Sequence, residues 1–182
     1  YDDAFVEGRN PPVPLNRHSI SQLFFDSLAI SAWKSAGGAR WALRVNPSSG
    51  NLHPTEGYLL CGPVDGLCAA PMVCHYAPKA HALEVRAQVG AALWEALCER
   101  CPPETVFVGL TSVHWREAWK YGQRAYRYCQ HDLGHAIAAV AIAAAALGWQ
   151  TRLMDDLGTL ELAGLLGTDR AHTAEPEEPD VL

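Results

Sequence analysis

The stretch Asn46-Pro47-Ser48-Ser49-Gly50-Asn51-Leu52-His53-Pro54 is a polar loop that carries a glycine and has a proline near each end. The apolar run that follows it, Tyr58-Leu59-Leu60-Cys61, is typical of a buried strand. The sequence therefore predicts a loop at the edge of a sheet, where backbone N–H groups, two hydroxyls, an amide and an imidazole lie close together. Those groups suit the binding of a polar, planar ligand.

Apolar runs and helical spacing predict the remaining elements. Ser19 and Gln22 form a capping-box pattern, and the first helix is expected to end near Lys34, before Gly37-Gly38. The further elements predicted are strands at 56–61, 72–76, 105–113 and 150–154 and helices at 87–99, 123–147 and 160–166. Helices that alternate irregularly with a few strands indicate an α+β fold, with the helices packed on a small sheet.

The segment from Ala136 to Leu147 is strongly apolar and rich in alanine. It is shorter than the ~20 residues that a membrane-spanning helix needs. We therefore interpret it as a central buried helix. Its small side chains would also allow another helix to approach closely, so a subunit contact is the alternative interpretation.

The composition is that of a globular, acidic protein: 49% of the 182 residues are hydrophobic, 19% are charged, and the net charge is -6. The length suits one domain, and the negative charge argues against a nucleic acid or an anionic membrane as the partner. Six irregularly spaced cysteines and the lack of a signal peptide predict reduced thiols and a cytoplasmic protein. Because the chain begins at Tyr1 rather than Met, we expect a fragment or a trimmed chain.

Several common motifs do not occur in the sequence. It contains no GxGxxG, GxxxxGK[ST], HExxH or GxSxG pattern. A Rossmann nicotinamide site, a P-loop, a zincin protease and an α/β-hydrolase therefore lack their usual sequence support.

A zinc-binding protein is one alternative function. His131 and His135 are four positions apart, so they lie on one helix face and can chelate a metal, and Cys98-x-x-Cys101 lies upstream. The gap between the two pairs is far longer than a zinc finger uses. The competing interpretation is that these are ordinary packed or exposed side chains.

Two short segments carry side chains suited to catalysis or phosphate binding. Arg17-His18-Ser19 precedes the first helix, where an arginine, a hydroxyl and free N–H groups can hold a phosphate; a helix cap with an exposed arginine is the alternative. Lys120 and Tyr121 lie among aromatic residues and can transfer protons; a surface lysine in an aromatic turn is the alternative. Asp132 and His135 could orient each other or the ligand, or cap the long helix.

The order of these segments resembles the nitroreductase superfamily, and more closely its SagB-type (thiazole/oxazole-forming) dehydrogenase branch. Arg17-His18-Ser19 is similar to the Arg-x-Ser element that holds the FMN phosphate. Pro47-Ser48-Ser49-x-Asn51-x-His53-Pro54 is similar to the loop that runs along the flavin. Lys120-Tyr121, followed by Asp132-x-Gly134-His135, resembles the segment that carries the catalytic Lys-Tyr pair.

The resemblance implies an α+β, nitroreductase-like fold, with helices packed around a small mixed or antiparallel sheet and a central buried helix. It implies an irregular arm at 1–16, an FMN-binding domain at 17–172, and at 173–182 an exposed acidic tail or the lead-in to a missing last strand or second domain. Such proteins are usually homodimers, and some relatives pair two such domains in one chain.

The resemblance also implies a function: an FMN-dependent oxidoreductase without a metal, acting on an azoline-type peptide substrate, or on a nitro or quinone compound with NAD(P)H as electron donor. Lys120 and Tyr121 would be catalytic. The residues that would bind FMN are Arg17, Ser19, Pro47, Ser48, Ser49, Asn51 and His53. A non-catalytic, structural half of a two-domain flavoprotein is the alternative.

Overall fold

The computed structural model describes residues 2–6, 8–170 and 175–182. Its strands are β1 (Ile30–Ala36), β2 (Ala39–Arg44), β3 (Thr55–Cys61), β4 (Met72–Ala77), β5 (Ala82–Gln88), β6 (Val106–Ser112) and β7 (Glu178–Val181). Its α-helices are α1 (Arg17–Ser27), α2 (Ala91–Cys98), α3 (Trp115–Tyr121), α4 (Ala125–Ala146) and α5 (Thr159–Leu166). None of the described helices is long and apolar enough to cross a membrane.

An antiparallel sheet with the strand order β5-β4-β3-β6-β7 forms the centre of the protein. All residues of β3 are buried, because β4 and β6 flank the strand and helices cover both of its faces. This explains why β3 reads as a continuous apolar run rather than an alternating one. Strands β1 and β2 form a separate antiparallel hairpin.

Helices pack on both faces of this sheet. Along β3, Leu59 and Cys61 point to one face and Tyr58 and Leu60 to the other, as the twofold period of a strand requires. The core residues on the first face, from α1, its C-cap residue and α4, are Ile20, Phe24, Leu28, Leu133 and Ala136. Those on the second face, from α2 and α5, are Trp94, Leu97, Leu162 and Leu166. The loop at 46–54 leads into the N-terminal end of β3, and α3 connects β6 to α4.

The predicted α+β class with an antiparallel sheet is confirmed. The strands predicted at 56–61, 72–76 and 105–113 are β3, β4 and β6, and the helices predicted at 123–147 and 160–166 are α4 and α5. The long helix α4 is buried only toward the sheet. Its exposed residues include Gly134, His135, Ala138 and Ile142.

The prediction for the end of the first helix was wrong. Helix α1 ends at Ser27, and the chain then forms the β1–β2 hairpin, which turns at Gly37-Gly38 with φ of 56° and 82°. Two successive residues with positive φ are typical of a tight hairpin turn. The start of the helix also differs from the predicted Ser19–Gln22 capping box, because Asn16 is the N-cap. The Asn16 side chain accepts the N–H groups of His18 and Ser19, and Ser19 Oγ accepts the N–H of Asn16.

Three further predictions of local structure need correction. Strand β5 occupies the first part of the helix predicted at 87–99, so α2 begins only at Ala91. Residues 150–154 form no strand; Met154 N–H donates to the carbonyl of Leu182. Residues 175–182 are not an exposed tail, because β7 pairs with β6 and Leu182 is buried. The other residues of the predicted tail, 173 and 174, lie outside the described part of the chain.

Candidate active site

The Pro-Ser-Ser loop is held in shape by hydrogen bonds among its own side chains. Ser48 Oγ accepts the His53 N–H at 2.8 Å, and His53 Nε2 lies 2.8 Å from Asn51 Oδ1. Asn51 Nδ2 donates to the Ala42 carbonyl at 2.9 Å. Gly50, Asn51 and His53 all have positive φ, an unfavourable conformation for the two non-glycine residues. The loop therefore holds a tight, costly shape that its surroundings must stabilise.

The imidazole of His53 is uncharged at neutral pH. Burial, followed by the positive charge of Arg44, lowers the pKa of His53 to about 4. Because Asn51 Oδ1 can only accept a hydrogen bond, His53 Nε2 carries the proton. His53 is therefore a fixed structural donor inside the loop rather than a proton-transfer group.

Asp132 of α4 joins this loop to the helix. Its carboxylate accepts the Ser49 N–H at 2.9 and 3.1 Å and the Ser49 hydroxyl at 3.0 Å, and the residue is fully buried. Hydrogen bonds to a charged acceptor are stronger than those between neutral groups. The sequence left open whether Asp132 and His135 orient each other or a ligand, or cap the long helix. Asp132 lies inside α4 rather than at its start, and its Oδ1 is 4.0 Å from His135 Nδ1. Its hydrogen bonds to Ser49 make it a clamp on the loop.

Lys120 and Tyr121 lie at the end of α3, directly against Gly50. Lys120 Nζ lies 3.5 Å from the Gly50 carbonyl oxygen and 5.3 Å from the centre of the Tyr121 ring. The Tyr121 ring packs against Tyr128 at 4.4 Å between ring centres, with the two ring planes tilted by 46°. An amine and a phenol therefore stand side by side next to the loop, which is the arrangement that proton transfer to a bound ligand needs.

Gly50 is the contact point between the loop and this pair. A Cβ placed on Gly50 would lie 2.7 Å from Lys120 Nζ and closer still to Tyr121 Oη. We expect Gly50→Ala to displace both side chains and to lower the catalytic rate at least about 10-fold, in addition to the ~1 kcal/mol of backbone strain at positive φ.

Gly37→Ala is the matched control, because Gly37 has a similar φ of 56° and open space where its Cβ would lie. In urea unfolding both variants should lose the stability that backbone strain costs, and Gly50→Ala should lose at least as much as Gly37→Ala. Only Gly50→Ala should change the reactivity of Lys120 toward an amine reagent. Equal lysine reactivity in the two variants would contradict the contact.

A buried cluster of charges holds α3 against the loop and the sheet. Glu56 of β3 pairs with Arg116 of α3, with Arg44 Nη2 at 3.6 Å and with His75 Nε2 at 3.1 Å. Arg116 also donates to the His53 carbonyl at 2.9 Å and pairs with Glu175 Oε2 at 2.7 Å. Through Arg116, the position of Lys120 therefore depends on β3, on the loop and on the segment before β7.

The pKa values of this cluster follow from its contacts. Although burial alone would raise the pKa of Glu56, hydrogen bonding from His75 and the charges of Arg44 and Arg116 lower it to about 2. Burial alone would lower the pKa of His75, but hydrogen bonds with Glu56 and Glu84 raise it. Glu56 is thus an ionised carboxylate with its partners in place, which is the condition for a buried charge to be tolerated.

Comparison with known proteins agrees with this architecture. No protein-family model and no curated protein matches the sequence. A solved structure of a proposed nitroreductase from Anabaena variabilis matches with a TM-score of 0.75 and 26% identity over 90% of this chain and 33% of its own length.

Two further solved structures match at 18% identity. One is the E. coli microcin synthetase McbBCD complex with truncated pro-MccB17 bound, with a TM-score of 0.71 over 94% of this chain and 67% of that chain. The other is a proposed nitroreductase from Ralstonia eutropha, with a TM-score of 0.62 over 96% and 73%. The fold is nitroreductase-like. This nitroreductase-like chain spans only a third of the length of the Anabaena protein.

The nitroreductase-like fold does not bring all the predicted flavin-binding residues together. Arg17 N–H donates to the Asp65 carbonyl, so it lies beyond the C-terminal end of β3, whereas the Pro-Ser-Ser loop lies at the N-terminal end. A strand of this length spans roughly 20 Å. Ser19 is buried, and its hydroxyl bonds to the Pro14 and Asn16 carbonyls in the helix cap. Within one chain, Arg17 and Ser19 thus stand apart from Lys120.

The zinc-binding alternative does not fit this fold, because the sheet separates its two cysteines from its two histidines. Cys98 and Cys101 pack with α2 on one face of the sheet, and His131 and His135 lie on α4 at the other face. In residues 2–6, 8–170 and 175–182, no three His, Cys, Asp or Glu side chains are grouped so that they could hold a metal ion. The four residues therefore cannot form the single site that their spacing suggested.

Arg116 and Glu117 were not identified from the sequence. Glu117 is fully buried on α3, and its carboxylate oxygens have no hydrogen-bond partner. The signal that could have found it is its spacing, because Glu117 precedes Lys120 by three positions and Tyr121 by four, which places the three on one helix face.

Proposed function

We propose that this chain is the flavin-binding part of an FMN-dependent oxidoreductase of the nitroreductase and SagB type. The observation that carries the proposal is the contact between Lys120, Tyr121 and Gly50 of the Pro-Ser-Ser loop. This contact joins a proton-transferring pair to a loop of fixed shape within a nitroreductase-like fold. When bound, FMN would supply hydride transfer at its N5 atom.

The residues at this loop fit one side of a flavin. Pro47, Gly50 and Lys120 are exposed and could lie along a planar ring, and the Ser48 hydroxyl accepts from His53 but can still donate. The groups of Ser49 and Asn51 are already bonded inside the protein, so their proposed role changes from contacting the flavin to fixing the loop. His53 has the same loop-fixing role.

The chain's own chemistry at this site is proton transfer. Lys120 Nζ and Tyr121 Oη would give a proton to, or take one from, a substrate whose hydride is exchanged with the flavin. An azoline ring in a peptide fits the SagB-type assignment, and a nitro or quinone compound with NAD(P)H as donor fits the wider superfamily. In either case Asp132, Glu56 and Arg116 would keep the pair in place.

The rest of a flavin site would come from a second chain or domain. The loop presents Pro47 and Gly50 at the surface, and Arg17 and Ser19 lie beyond the other end of β3. In a homodimer, or beside a second nitroreductase-like domain, these two residues could reach the phosphate of a flavin bound at the partner's loop. The Anabaena protein is about three times as long as the region it shares with this chain, and McbBCD is a complex of several proteins, so pairing with a further domain or chain is consistent with both matches.

Flavin binding is the first test. Purified protein should be yellow or should become so with FMN, and FMN at 100 times its Kd should add about 2.7 kcal/mol to the free energy of unfolding, seen as a higher Tm. Riboflavin, which lacks the phosphate, separates the ring contacts from a phosphate contact. A protein that stays colourless and whose Tm FMN leaves unchanged, both as a dimer of this chain and together with a second nitroreductase-like domain, would contradict the proposal.

A non-catalytic role as a structural half of a two-domain flavoprotein is the second candidate. It is favoured by the internal bonding of Ser49 and Asn51, which leaves the loop with few polar groups for a ligand. This role predicts that the chain binds a second domain tightly but does not bind FMN alone or in that complex. FMN bound by the complex at this loop would exclude it.

A further inference from the structure

Glu117 is a buried carboxyl group that its surroundings do not satisfy. The residue has 0% of its surface exposed, and neither carboxylate oxygen has a hydrogen-bond partner. Leaving an ionised carboxyl in this state is costly, and a buried group of this kind takes up a proton instead. Glu117 therefore differs from Glu56, which is also buried but has two arginines and a histidine around it.

The charged and titratable groups around Glu117 come from two helices. Asp132 and Cys129 face it from α4, and Lys120 lies one turn further along α3. Burial, followed by the negative charge of Asp132, raises the pKa of Glu117 to about 7, while Lys120 acts in the opposite direction. Asp132 already accepts three hydrogen bonds from Ser49, so its negative charge is fixed close to Glu117.

We propose that Glu117 stores a proton between α3 and α4 and exchanges it with Lys120 during turnover, which makes it a proton-relay residue that acts through the lysine. This inference rests on the proposed flavin chemistry at the same site. In the structure Lys120 Nζ lies at the Gly50 carbonyl and not at Glu117, so the exchange requires the flexible lysine side chain to swing toward the carboxyl. When Lys120 has given a proton to the substrate, the Glu117 O–H bond then breaks and an N–H bond re-forms on the amine. Glu117 is left as a carboxylate beside the restored ammonium group. In the direction that removes a proton from the substrate, the same bonds form and break in reverse.

A stored proton would explain both why an unpaired carboxyl is buried on α3 and why it shares a helix face with Lys120. A helix that only connects β6 to α4 gains nothing from an unpaired buried carboxyl, since an apolar side chain of similar size would cost less. A stored proton also needs a location shielded from water and close to the group it serves, and Glu117 shares a helix face with Lys120 and Tyr121.

The first experiment uses the purified chain without flavin. The infrared difference spectrum between pH 5 and pH 9 should contain the carbonyl band of a protonated carboxyl that titrates near neutral pH, and Glu117→Gln should remove it. Glutamine has the shape of the protonated side chain, so the fold should persist. Glu95→Gln, at an exposed residue of α2, is the matched control and should leave the band in place. A band that survives Glu117→Gln would overturn the inference.

A stability measurement gives a second readout without flavin. Because the pKa of Glu117 is raised in the folded state, its contribution to stability is present below the pKa of the unfolded state and is lost as the pH rises through about 7. Glu117→Gln should therefore unfold at a higher temperature than the parent protein at pH 9, but not at pH 5. Parallel curves for the two proteins would contradict a stored proton.

The third measurement concerns turnover by the flavin-loaded protein. Glu117→Gln should lower kcat about 10- to 100-fold and remove the limb near pH 7 from the rate profile, while FMN binding stays unchanged and Glu117→Asp retains part of the rate. If the carboxyl titrates but Glu117→Gln turns over like the parent with the same profile, Glu117 is structural and the inference is wrong. If the parent binds no FMN, the proposed function fails, and the infrared result still decides whether Glu117 stores a proton.

Discussion

Replacing Lys120 with alanine is expected to slow turnover by about 100- to 10,000-fold, the usual effect of removing a general acid or base. The amine lies 3.5 Å from the Gly50 carbonyl and beside Tyr121, so it is placed to act at this loop. The rate is measured as the change in flavin absorbance with the substrate that the parent uses, found by screening azoline peptides, nitro compounds and quinones. Lys120→Ala should leave the loop intact, because Asp132 and His53 hold the loop without the lysine.

Lys79→Ala is the control, because Lys79 is an exposed lysine in the turn between β4 and β5, on a different part of the sheet. It should turn over like the parent. Tyr121→Phe separates the two members of the pair: a loss as large as that of Lys120→Ala would assign proton transfer to both. FMN binding with an unchanged rate in Lys120→Ala would contradict the catalytic role and favour the structural half.

The parts of the fold that could be predicted are those whose burial is visible in the chain. Strands β3 and β6 are covered on both faces, so their apolar runs identify them without alternation. The β1–β2 hairpin gave no such signal. It carries exposed tryptophans, Trp33 and Trp41, so no buried apolar run marks its strands. The Gly37-Gly38 pair was the available sign of a hairpin turn.

Strand β5 was missed for a related reason. Leu83 is its one partly buried residue, and the other six side chains are exposed, so no alternating pattern distinguishes it from the start of a helix. What makes it a strand is pairing with β4 at the sheet edge. That pairing is a tertiary effect that overrides local propensity.

In the candidate site, too, some parts could be predicted from the sequence and others could not. The loop and the Lys120-Tyr121 pair could be identified from residue type and order, because their chemistry is carried by short segments. The role of Ser49 could not, since its partner Asp132 is 83 positions away and the sequence contains no sign of that contact. The same holds for Arg116, whose three partners are on β3, in the loop and before β7.

Replacing Glu56 with glutamine is expected to have the largest effect on stability, a loss of about 3 to 5 kcal/mol at pH 7. Glu56 is buried and faces Arg44, Arg116 and His75, so the neutral amide leaves these cations without their shared carboxylate. Since a domain of this size is stable by only about 5 to 15 kcal/mol, the variant should unfold at a much lower urea concentration. Urea unfolding followed by tryptophan fluorescence measures the difference.

The pH dependence distinguishes this cluster from a general packing defect. The pKa of Glu56 is lowered in the folded protein to about 2, so its contribution is present above the pKa of the unfolded state and is lost as the pH falls toward 2. The parent should lose about 3 kcal/mol relative to Glu56→Gln between pH 5 and pH 2.

The matched control is Glu99→Gln, at an exposed glutamate after α2, which should change stability by less than about 0.5 kcal/mol at any pH. A Glu56→Gln variant that keeps the parent's stability at pH 7 would show that Arg44 and Arg116 are adequately solvated without the carboxylate. A variant that is destabilised equally at pH 7 and pH 2 would show that packing, and not the charge of Glu56, holds α3 and its Lys120-Tyr121 pair against the loop.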